Sequence, residues 1–359
     1  GFIVFNEKTY PNLINFLKEL DVKYEKSDMS FSVSVNMSNI EYCGKGLKGF
    51  FSNKKNLLNI KFLKMFYEII NFYNKCEKLD IKDYENITLG DFLDKEKLSV
   101  YFVNYHIIPM VSAIWSMPPK EVRKMPFSFF IIFFKNHGLF KIKNRPEWFT
   151  IANRSQNYVM EVLKKLSGGH FKNYNINKII RNKNNVSIYY GDESEFFTYD
   201  KVILATHADQ SLNLIQNPTE KEKKILKNFK YKKNIAYIHS DENVMPKNKK
   251  NWSSWNATVD KNNLQKNSVT YWLNLLQNLK INKNIFLTIN PYFEIPEDKI
   301  YKKVTFTHPF YDDEALKNQN ELKSIQNKNN LLFCGSYFGY GFHEDGIKSS
   351  LEMVKYIND

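Results

Sequence analysis

The stretch that most constrains the fold is Leu331–Val354, which combines three patterns in a fixed order. An apolar strand is followed by a loop region with four glycines (Gly335, Gly339, Gly341 and Gly346), and an amphipathic helix is predicted to begin near Gly346. Glycines let a backbone approach a ligand closely, and the N–H groups of a helix start favour an anionic or electron-rich partner. This order favours a site for a flat cofactor with a carbonyl edge. A turn-rich helix cap is the alternative.

Length and composition describe a globular chain. Its 359 residues are enough for about two domains with a large buried core. A hydrophobic fraction of 43% excludes disordered and collagen-like chains, and the size excludes a small disulfide scaffold. Cys43, Cys76 and Cys334 are far apart and form no C-x-x-C motif, which suits a reducing cytoplasm and argues against structural zinc. The seven histidines do not cluster in the sequence, so no metal site is predicted.

The charge balance raises the question of a polyanionic partner, because 52 basic and 38 acidic residues give a net charge of +14. Only four of the basic residues are arginine, the side chain favoured for bidentate contacts to phosphate and guanine, so nucleic-acid binding is not expected. Weak attraction to an anionic membrane surface is the remaining alternative. The longest apolar run, Phe127–Phe134, is far shorter than the ~20 residues of a bilayer span, so no transmembrane segment is predicted.

The first half of the chain is predicted to be mainly helical. Pro11 opens a helix, and the alternation of Met29–Val35 predicts a half-buried strand. Residues 45–140 then form an apolar helical region, with helical spacing over Asn56–Tyr73, a capping box at Thr88–Asp91 and an aromatic run over Lys97–Met117. This region is either ordinary core or the wall of a pocket for an apolar ligand.

The second half alternates between the two patterns. A helix is predicted from Ser155 to a stop at Gly168-Gly169, and Thr219 caps a basic helix. Strands are predicted at 176–180, 186–190 and 201–206, and again at 235–239, 269–274, 285–289 and 304–307. The run at 201–206 is continuously apolar, as in a buried parallel strand, and the last four strands indicate an antiparallel sheet.

The glycine-rich motif resembles the C-terminal flavin-binding segment of the flavin-containing amine oxidase and phytoene-desaturase-like superfamily. Within it, Gly335-Ser-Tyr-Phe-Gly-Tyr-Gly-Phe-His-Glu-Asp-Gly346 is similar to the branch that contains bacterial stand-alone FAD oxidoreductases and the flavin domain of plant cyclopropane fatty acid synthases. Further stretches fit the same branch in order, among them Thr9–Asn12, Ser27–Val33, Leu204–Gln210, Trp252–Asn256, Val269–Asn274 and His308-Pro309. The resemblance covers nearly the whole chain.

The resemblance implies an α/β (α+β) fold, in which an FAD-binding Rossmann-like domain is interleaved with a substrate domain of mixed sheet and helices. The implied FAD-domain pieces are 1–28 (a remnant with a linker), 148–232 and 326–359, and the substrate-domain pieces are 29–147 and 233–325. Branch members begin with a βαβ unit that carries G-x-G-x-x-G. The sequence has no such fingerprint, so the chain is expected to lack this N-terminal unit, through processing or as a piece of something longer.

The same resemblance implies FAD as the cofactor and suggests residue roles. Gly335 and Ser336 would lie beside the ribityl-pyrophosphate, Asp345, Gly346 and Ile347 would present backbone N–H groups to the pyrimidine edge, and His343 and Glu344 would line the flavin face. Asn6, Trp115 and Tyr271 are candidates for the substrate side. For each residue a cap, loop or core role is the alternative. One departure affects these roles, because Asn153-Arg154 stands where the branch usually has Gly-Gly.

The function expected from the resemblance is an FAD-dependent oxidoreductase that removes hydride from a hydrophobic, lipid or acyl substrate by dehydrogenation or desaturation. Amine oxidation is an alternative. If the truncated chain holds no FAD, a non-catalytic protein that binds lipid or a lipid-modifying methyltransferase is a second alternative. The catalytic residues are left open, because no nucleophile arrangement or general base stands out in the sequence. The expected location is the cytoplasm or the membrane periphery.

Overall fold

The structure is a computed structural model that describes residues 3–84, 86–169, 173–192 and 194–357. The strands of this part of the chain are β1 (Tyr24–Ser27), β2 (Phe31–Asn36), β3 (Glu41–Cys43), β4 (Trp148–Ile151), β5 (Ile176–Arg181), β6 (Val186–Tyr190), β7 (Glu195–Tyr199), β8 (Val202–Leu204), β9 (Lys230–His239), β10 (Trp255–Asp260), β11 (Asn267–Trp272), β12 (Phe286–Ile289), β13 (Ile300–Phe310) and β14 (Leu331–Phe333). The helices are α1 (Pro11–Glu19), α2 (Gly46–Phe50), α3 (Ile60–Lys78), α4 (Leu89–Lys95), α5 (Val100–Phe102), α6 (Ile108–Trp115), α7 (Pro119–Val122), α8 (Phe127–Asn136), α9 (Gln156–Lys165), α10 (Ala208–Leu214), α11 (Glu220–Leu226), α12 (Leu273–Leu276), α13 (Asp313–Gln319) and α14 (His343–Val354).

The largest sheet has seven strands in the order β13-β9-β12-β11-β10-β2-β3. All neighbouring pairs are antiparallel except β10 and β2, so the antiparallel sheet predicted for the second half is confirmed. Strand β11 ends at Trp272, two residues earlier than predicted, because α12 begins at Leu273. The sequence patterns did not predict β10. Four consecutive residues of β10 are buried, so the strand lacks the alternation of a half-exposed one.

A second sheet pairs β8 with β14 in parallel, with Leu331 opposite Val202. This confirms the parallel strand predicted at 201–206, although it is shorter than expected and not buried on both faces, since Ile203 is 45% exposed. Helix α14 follows β14 and packs against it where Met353 joins Leu332 and Cys334 in one apolar cluster. Strands β5, β6 and β7 form a separate antiparallel sheet.

The predicted helical region over 45–140 is confirmed, but the run at 97–117 is not one helix. A π-helical turn at Val103–Ile107 separates α5 from α6. Pro109 lacks an N–H group and cannot donate to the carbonyl of Tyr105, four residues earlier. That carbonyl instead accepts a hydrogen bond of 2.7 Å from Tyr42 Oη. The turn also places His106 between Tyr42 Oη at 2.9 Å and Tyr73 Oη at 2.8 Å.

The residues of this helical region contribute both to the core and to the wall of a cavity. Phe130 and Phe134 on α8 are fully buried in the main core. Phe133, on the same helix, lines a cavity together with His137. The helical layer is therefore core on one side and cavity wall on the other.

Candidate functional site

The loop after β14 takes backbone conformations that need glycine at two positions. Gly335 has φ +156°, and a Cβ there would lie 2.7 Å from the ring of Tyr337. Gly341 has φ +91°, and its Cβ would lie 2.7 Å from Tyr311 Oη. Both φ values are ones that side chains rarely adopt. The glycines therefore set the path of the loop and leave an open surface beside Gly341.

Helix α14 begins at His343, three residues before the predicted start near Gly346. The reason is Asp345, whose Oδ2 accepts a hydrogen bond of 2.9 Å from the Phe342 N–H and so caps the helix earlier. The Gly346 N–H already donates to the Phe342 carbonyl at 3.2 Å. The prediction that Gly346 and Ile347 stand at the helix start is therefore wrong, since both lie inside the helix.

A space of about 470 Å³ runs along the outer side of this loop and helix, and we call it the glycine groove. Its lining residues are Phe16, Ser336, Gly341, Phe342, His343, Gly346, Ile347, Ser350, Leu351 and Val354. Four of the seven residues that were predicted to bind the cofactor line this groove: Ser336, His343, Gly346 and Ile347. Gly335, Glu344 and Asp345 are not among its lining residues. Their side chains or backbone serve other contacts, such as the 2.9 Å hydrogen bond from Gly335 N to Ser349 Oγ.

Glu344 ties the last helix to the first helix. Its Oε1 accepts hydrogen bonds from the backbone N–H of Asn12 at 3.0 Å and from its amide at 2.7 Å, and its Oε2 accepts from Leu13 N at 2.9 Å. A carboxylate at the N-terminus of α1 satisfies donors that have no acceptor inside that helix. Glu344 was predicted to line the flavin face. In the structure both of its carboxylate oxygens bind α1, so its side chain has a structural role instead.

A second space, of about 390 Å³, lies between α6, α8 and the large sheet, and we call it the aromatic cavity. Its walls are mainly aromatic and aliphatic: Ile3, Val4, Tyr10, Met29, Ile114, Trp115, Ser116, Phe133, His137, Leu139, Trp148, Trp255, Tyr271, Phe306, Thr307, His308, Pro309, Tyr340, Gly341, Phe342 and His343. No Asp, Glu, Lys or Arg occurs among these residues of the described chain. The cavity therefore suits an apolar or aromatic group better than an ionic one.

Two of the three residues proposed for the substrate side line this cavity. The Trp115 indole N–H points to the Tyr340 carbonyl at 3.4 Å, and Tyr271 Oη donates to the Ala113 carbonyl at 3.2 Å. Asn6 is fully buried elsewhere, where its Oδ1 accepts from the N–H groups of Lys8 and Thr9, each at 3.0 Å. Asn6 therefore holds the turn before α1 and is not a wall of the cavity.

The glycine groove and the aromatic cavity share one wall. Gly341, Phe342 and His343 line both spaces. On the cavity side, the Phe342 ring stacks on Phe133 at 4.9 Å between ring centroids. The two spaces therefore adjoin along the segment 341–343. A ligand in the groove and a ligand in the cavity would touch the same three residues.

His137 is a polar group of the cavity that sequence analysis did not identify. It follows α8, and its ring lies 3.9 Å from Phe133 in a stacked arrangement. Nδ1 lies 2.9 Å from the Phe133 carbonyl, which can only accept, so Nδ1 carries the proton. Burial lowers the pKa of His137 to about 4, so the ring is neutral at pH 7. Within the described chain Nε2 has no hydrogen-bond partner, and it is the ring's acceptor.

Two more neutral imidazoles line the cavity. His308 Nδ1 lies 2.8 Å from the amide nitrogen of Asn234, which leaves the proton of a neutral ring on Nε2. Burial lowers the pKa of His308, and it lowers the pKa of His343 to about 4. His343 Nε2 lies 2.8 Å from Tyr158 Oη on α9. His308 therefore offers a donor to the cavity, where His137 offers an acceptor.

Sequence analysis assigned no role to His137 or His308, although His308-Pro309 is one of the stretches that carry the resemblance. His137 stands at the end of a helix whose apolar spacing is ordinary, and His308 lies in a strand. Their common cavity forms only when α8 and β13 come together. The one local signal near His137 is Gly138, a typical residue at the end of a helix. Gly138 has a left-handed φ of +63° just after α8.

The Asn153-Arg154 pair adopts the backbone that glycines would adopt there. The φ values are +59° and +69°, and the pair leads into α9, whose residue Tyr158 contacts His343. Left-handed residues other than glycine cost roughly 1 kcal/mol each. Asn153 and Arg154 therefore keep the turn that Gly-Gly would make, but with backbone strain and two additional side chains.

Searches for known relatives give a likeness in structure alone. No protein-family model matches the chain, and no curated protein sequence matches it. Putrescine oxidase bound to putrescine has a TM-score of 0.66 at 10% identity, with 100% of this chain and 88% of that chain covered. A fatty acid isomerase from P. acnes, described as producing CLA, has a TM-score of 0.61 at 11% identity, with 99% and 86% covered. Cyclohexylamine oxidase from Brevibacterium oxydans has a TM-score of 0.60 at 9% identity, with 100% and 88% covered.

These matches confirm the predicted α/β fold. The domain limits given above stay a prediction. In the described residues, no group of three or more His, Cys, Asp or Glu side chains could hold a metal ion. None of the helices in that part of the chain is both long and apolar enough to cross a bilayer.

Proposed function

We propose that the chain is an FAD-dependent oxidoreductase that takes hydride from a hydrophobic substrate, such as an acyl or lipid chain. The observation that carries the proposal is the shared wall at Gly341, Phe342 and His343. A hydride donor and a flavin must meet at contact distance, so the two ligands would have to meet where the two spaces adjoin at Gly341, Phe342 and His343. The aromatic cavity would hold the substrate, and the glycine groove would hold the flavin.

The residues of the groove fit a flavin in two respects. Gly341 and Gly346 add no side chain to the groove wall, so a flat ring system could lie against the backbone there. The first turn of α14, at 343–345, adds the partial positive charge of a helix N-terminus. Ser336 and Gly346 would lie along the same ligand.

A bound flavin supplies the acceptor for hydride. The protein residues would do the rest by binding and orientation. Trp115, Tyr271 and Phe133 would surround an apolar chain in the aromatic cavity, beside the shared wall. The Nε2 atom of His137 is placed to take up a proton that the substrate loses, and the stacked Phe133 ring keeps the imidazole in one orientation.

Amine oxidation is the second candidate. Two solved structures similar in fold are a putrescine oxidase and a cyclohexylamine oxidase. Tryptophan and tyrosine faces attract ammonium groups, and Trp115, Trp148, Trp255 and Tyr271 supply four such rings. The absence of a carboxylate among the described wall residues favours the apolar substrate.

Flavin titration of the whole chain tests the proposal. We expect added FAD to bind, with a change in the visible flavin bands and quenching of flavin fluorescence. If acyl lipids, and not amines, bleach the flavin absorbance under anaerobic conditions, the lipid substrate is supported. The reverse result would support amine oxidation. A chain that leaves the FAD spectrum unchanged would overturn both and would favour the non-catalytic lipid-binding or methyltransferase-binding alternative.

A further inference from the structure

One exposed surface of the helical layer carries apolar side chains that the core does not use. It is formed by α2, the 3₁₀ turn at Lys54–Leu58 and the first two turns of α3. We call it the α3 patch, and its exposed apolar members are Leu47, Leu57, Leu58, Ile60, Leu63 and Tyr67. Leu58 is 89% exposed and Ile60 is 81% exposed, values typical of flexible polar residues. Clustered apolar exposure of this kind marks an interaction surface.

The apolar residues of the patch lie on the solvent side of α3. Ile60, Leu63 and Tyr67 recur at helical spacing on the exposed face, while Phe62 and Met65 are fully buried on the opposite face. Further along the helix the exposed positions become polar, beginning with Asn71. The apolar stripe is therefore restricted to the end of α3 that follows the 3₁₀ turn.

Aromatic side chains beneath the α3 patch pack α2 against α3. Phe66 of α3 contacts Phe50 of α2 at 4.9 Å and Phe51 at 5.4 Å between ring centroids. Phe50 also contacts Phe62 at 4.9 Å. These ring contacts pack α2, which carries Leu47, against the start of α3, which carries Ile60.

Exposed lysines alternate with the patch residues along the chain, and no acid occurs in the same stretch of sequence. Between Tyr42 and Tyr67 there are six lysines (Lys45, Lys48, Lys54, Lys55, Lys61 and Lys64) and no Asp or Glu. The flanking Glu68 lies 3.8 Å from Lys64 Nζ, and Lys45 Nζ donates to the Trp252 carbonyl at 3.1 Å. The patch therefore concentrates a large part of the chain's net charge of +14 next to its most exposed leucines.

We propose that the α3 patch binds the surface of an anionic lipid bilayer. Apolar side chains that enter the interface, framed by lysines that meet anionic headgroups, are the two features of proteins that lie on a membrane. Protein–protein interfaces instead lose lysine from their core, which argues against a protein partner here. The inference needs no cofactor, and it holds whether or not the flavin proposal is correct.

Vesicle co-sedimentation of the whole chain tests this surface. We expect at least about tenfold tighter binding to phosphatidylcholine vesicles that contain phosphatidylglycerol than to pure phosphatidylcholine vesicles. Leu58→Ser combined with Ile60→Ser should reduce binding to the anionic vesicles by about tenfold or more. Ile281→Ser is the matched control, since Ile281 is 51% exposed beside Lys280 and Lys283 in a distant loop. It should bind as the unmodified chain does.

The charges are tested in a second pair of variants. Lys54→Gln with Lys55→Gln should weaken binding to anionic vesicles and flatten its dependence on salt, while Lys221→Gln with Lys224→Gln on α11 should change it little. Circular dichroism of each variant verifies its fold. Equal binding to neutral and anionic vesicles, or equal loss in the control variants, would overturn the proposal. So would a dimer that Leu58→Ser with Ile60→Ser dissociates in a chain that binds no vesicles.

Discussion

A single imidazole nitrogen gives the aromatic cavity its proton acceptor. The backbone carbonyl of Phe133 fixes the proton on Nδ1 of His137, so the tautomer follows from the path of α8. Burial keeps the pKa at about 4, so the acceptor is available across the neutral range. The neutral ring therefore offers an unprotonated Nε2 as a proton acceptor at pH 7.

Replacing this nitrogen should slow turnover without emptying the cavity. We expect His137→Phe, which keeps a ring against Phe133, to lower kcat by about 10²-fold while KM changes little. In the unmodified enzyme activity should fall with a pKa near 4 as pH decreases, because protonation removes the acceptor, and the variant should lack this step. His207→Gln serves as the control, because His207 is a half-buried histidine that is not among the lining residues of the cavity. Equal rates for His137→Phe and the unmodified enzyme would contradict the assignment.

Two substitutions at Gly346 can test cofactor binding separately from folding. A Cβ at this position would lie 3.9 Å from Ser336 N, an ordinary contact, so Gly346→Ala should fold and gain about 0.5–1 kcal/mol of helix stability. Gly346→Leu should extend into the glycine groove and abolish flavin binding. Thermal unfolding and flavin titration of both variants provide the measurement. Unchanged flavin content in Gly346→Leu would refute the groove as the cofactor site.

At this scale the sequence predicted part of the site. Trp115 and Tyr271 are large aromatic residues near helix and strand ends, and both line the aromatic cavity. Asn6 and Glu344 have the polar side chains of a site, but their hydrogen bonds go to backbone groups of nearby turns and helices. Whether a polar side chain faces a cavity or a helix end depends on tertiary contacts that periodicity does not contain.

At the scale of elements, the link between α1 and α14 is the clearest structural device. Elements from opposite ends of the chain are joined by one carboxylate, that of Glu344, at the N-terminus of α1. The same turn of α14 carries His343 into the shared wall. The position of α1 therefore supports the position of the loop that the proposed function uses.

Removal of this carboxylate should loosen both helices. We expect Glu344→Ala to lower the free energy of unfolding by about 2–3 kcal/mol, because it leaves the donors of Asn12 and Leu13 without their acceptor. Glu344→Gln, which keeps one acceptor oxygen, should cost about half as much. Urea denaturation measures both. A loss below about 0.5 kcal/mol for Glu344→Ala would show that water replaces the carboxylate at the cap.

Element prediction succeeded where a periodic pattern was complete and failed where tertiary contacts changed it. The strand at 29–35 appeared as β2, shifted toward Asn36, because its polar and apolar residues alternate. The run at 97–117 was interrupted by a π-helical turn, whose freed carbonyl needs Tyr42 from a distant strand. The start of α14 moved to His343 because Asp345 caps it, a competition between two helix starts that spacing alone did not decide.

At the scale of the whole molecule, several histidines are buried as neutral rings. Burial lowers the pKa of His106 to about 3 and that of His137, His239 and His343 to about 4. The unfolded chain, with a histidine pKa near 6.5, binds these protons at higher pH. Asp345 acts in the opposite direction, because burial raises its pKa to about 6.

The protein should therefore lose stability in mild acid. Between about pH 6.5 and 4 the unfolded chain binds more protons at the four histidines than the folded chain does, so the free energy of unfolding falls as pH falls. Asp345 offsets part of this loss, since the folded chain binds its proton first. We expect a net loss of at least about 2 kcal/mol from pH 7 to pH 5 in urea denaturation. A smaller slope is expected for His239→Gln, and a constant stability over this range would contradict the burial of neutral histidines.

The wall formed by Gly341, Phe342 and His343 has a consequence for the molecule as a whole. An occupant of the aromatic cavity and an occupant of the glycine groove rest on the same backbone segment. If one occupant shifts that segment, it changes the affinity of the other by some factor, and thermodynamic reciprocity requires the same factor in return. The three residues thus couple the two binding sites. The dissociation constant of one ligand would depend on whether the other ligand is bound.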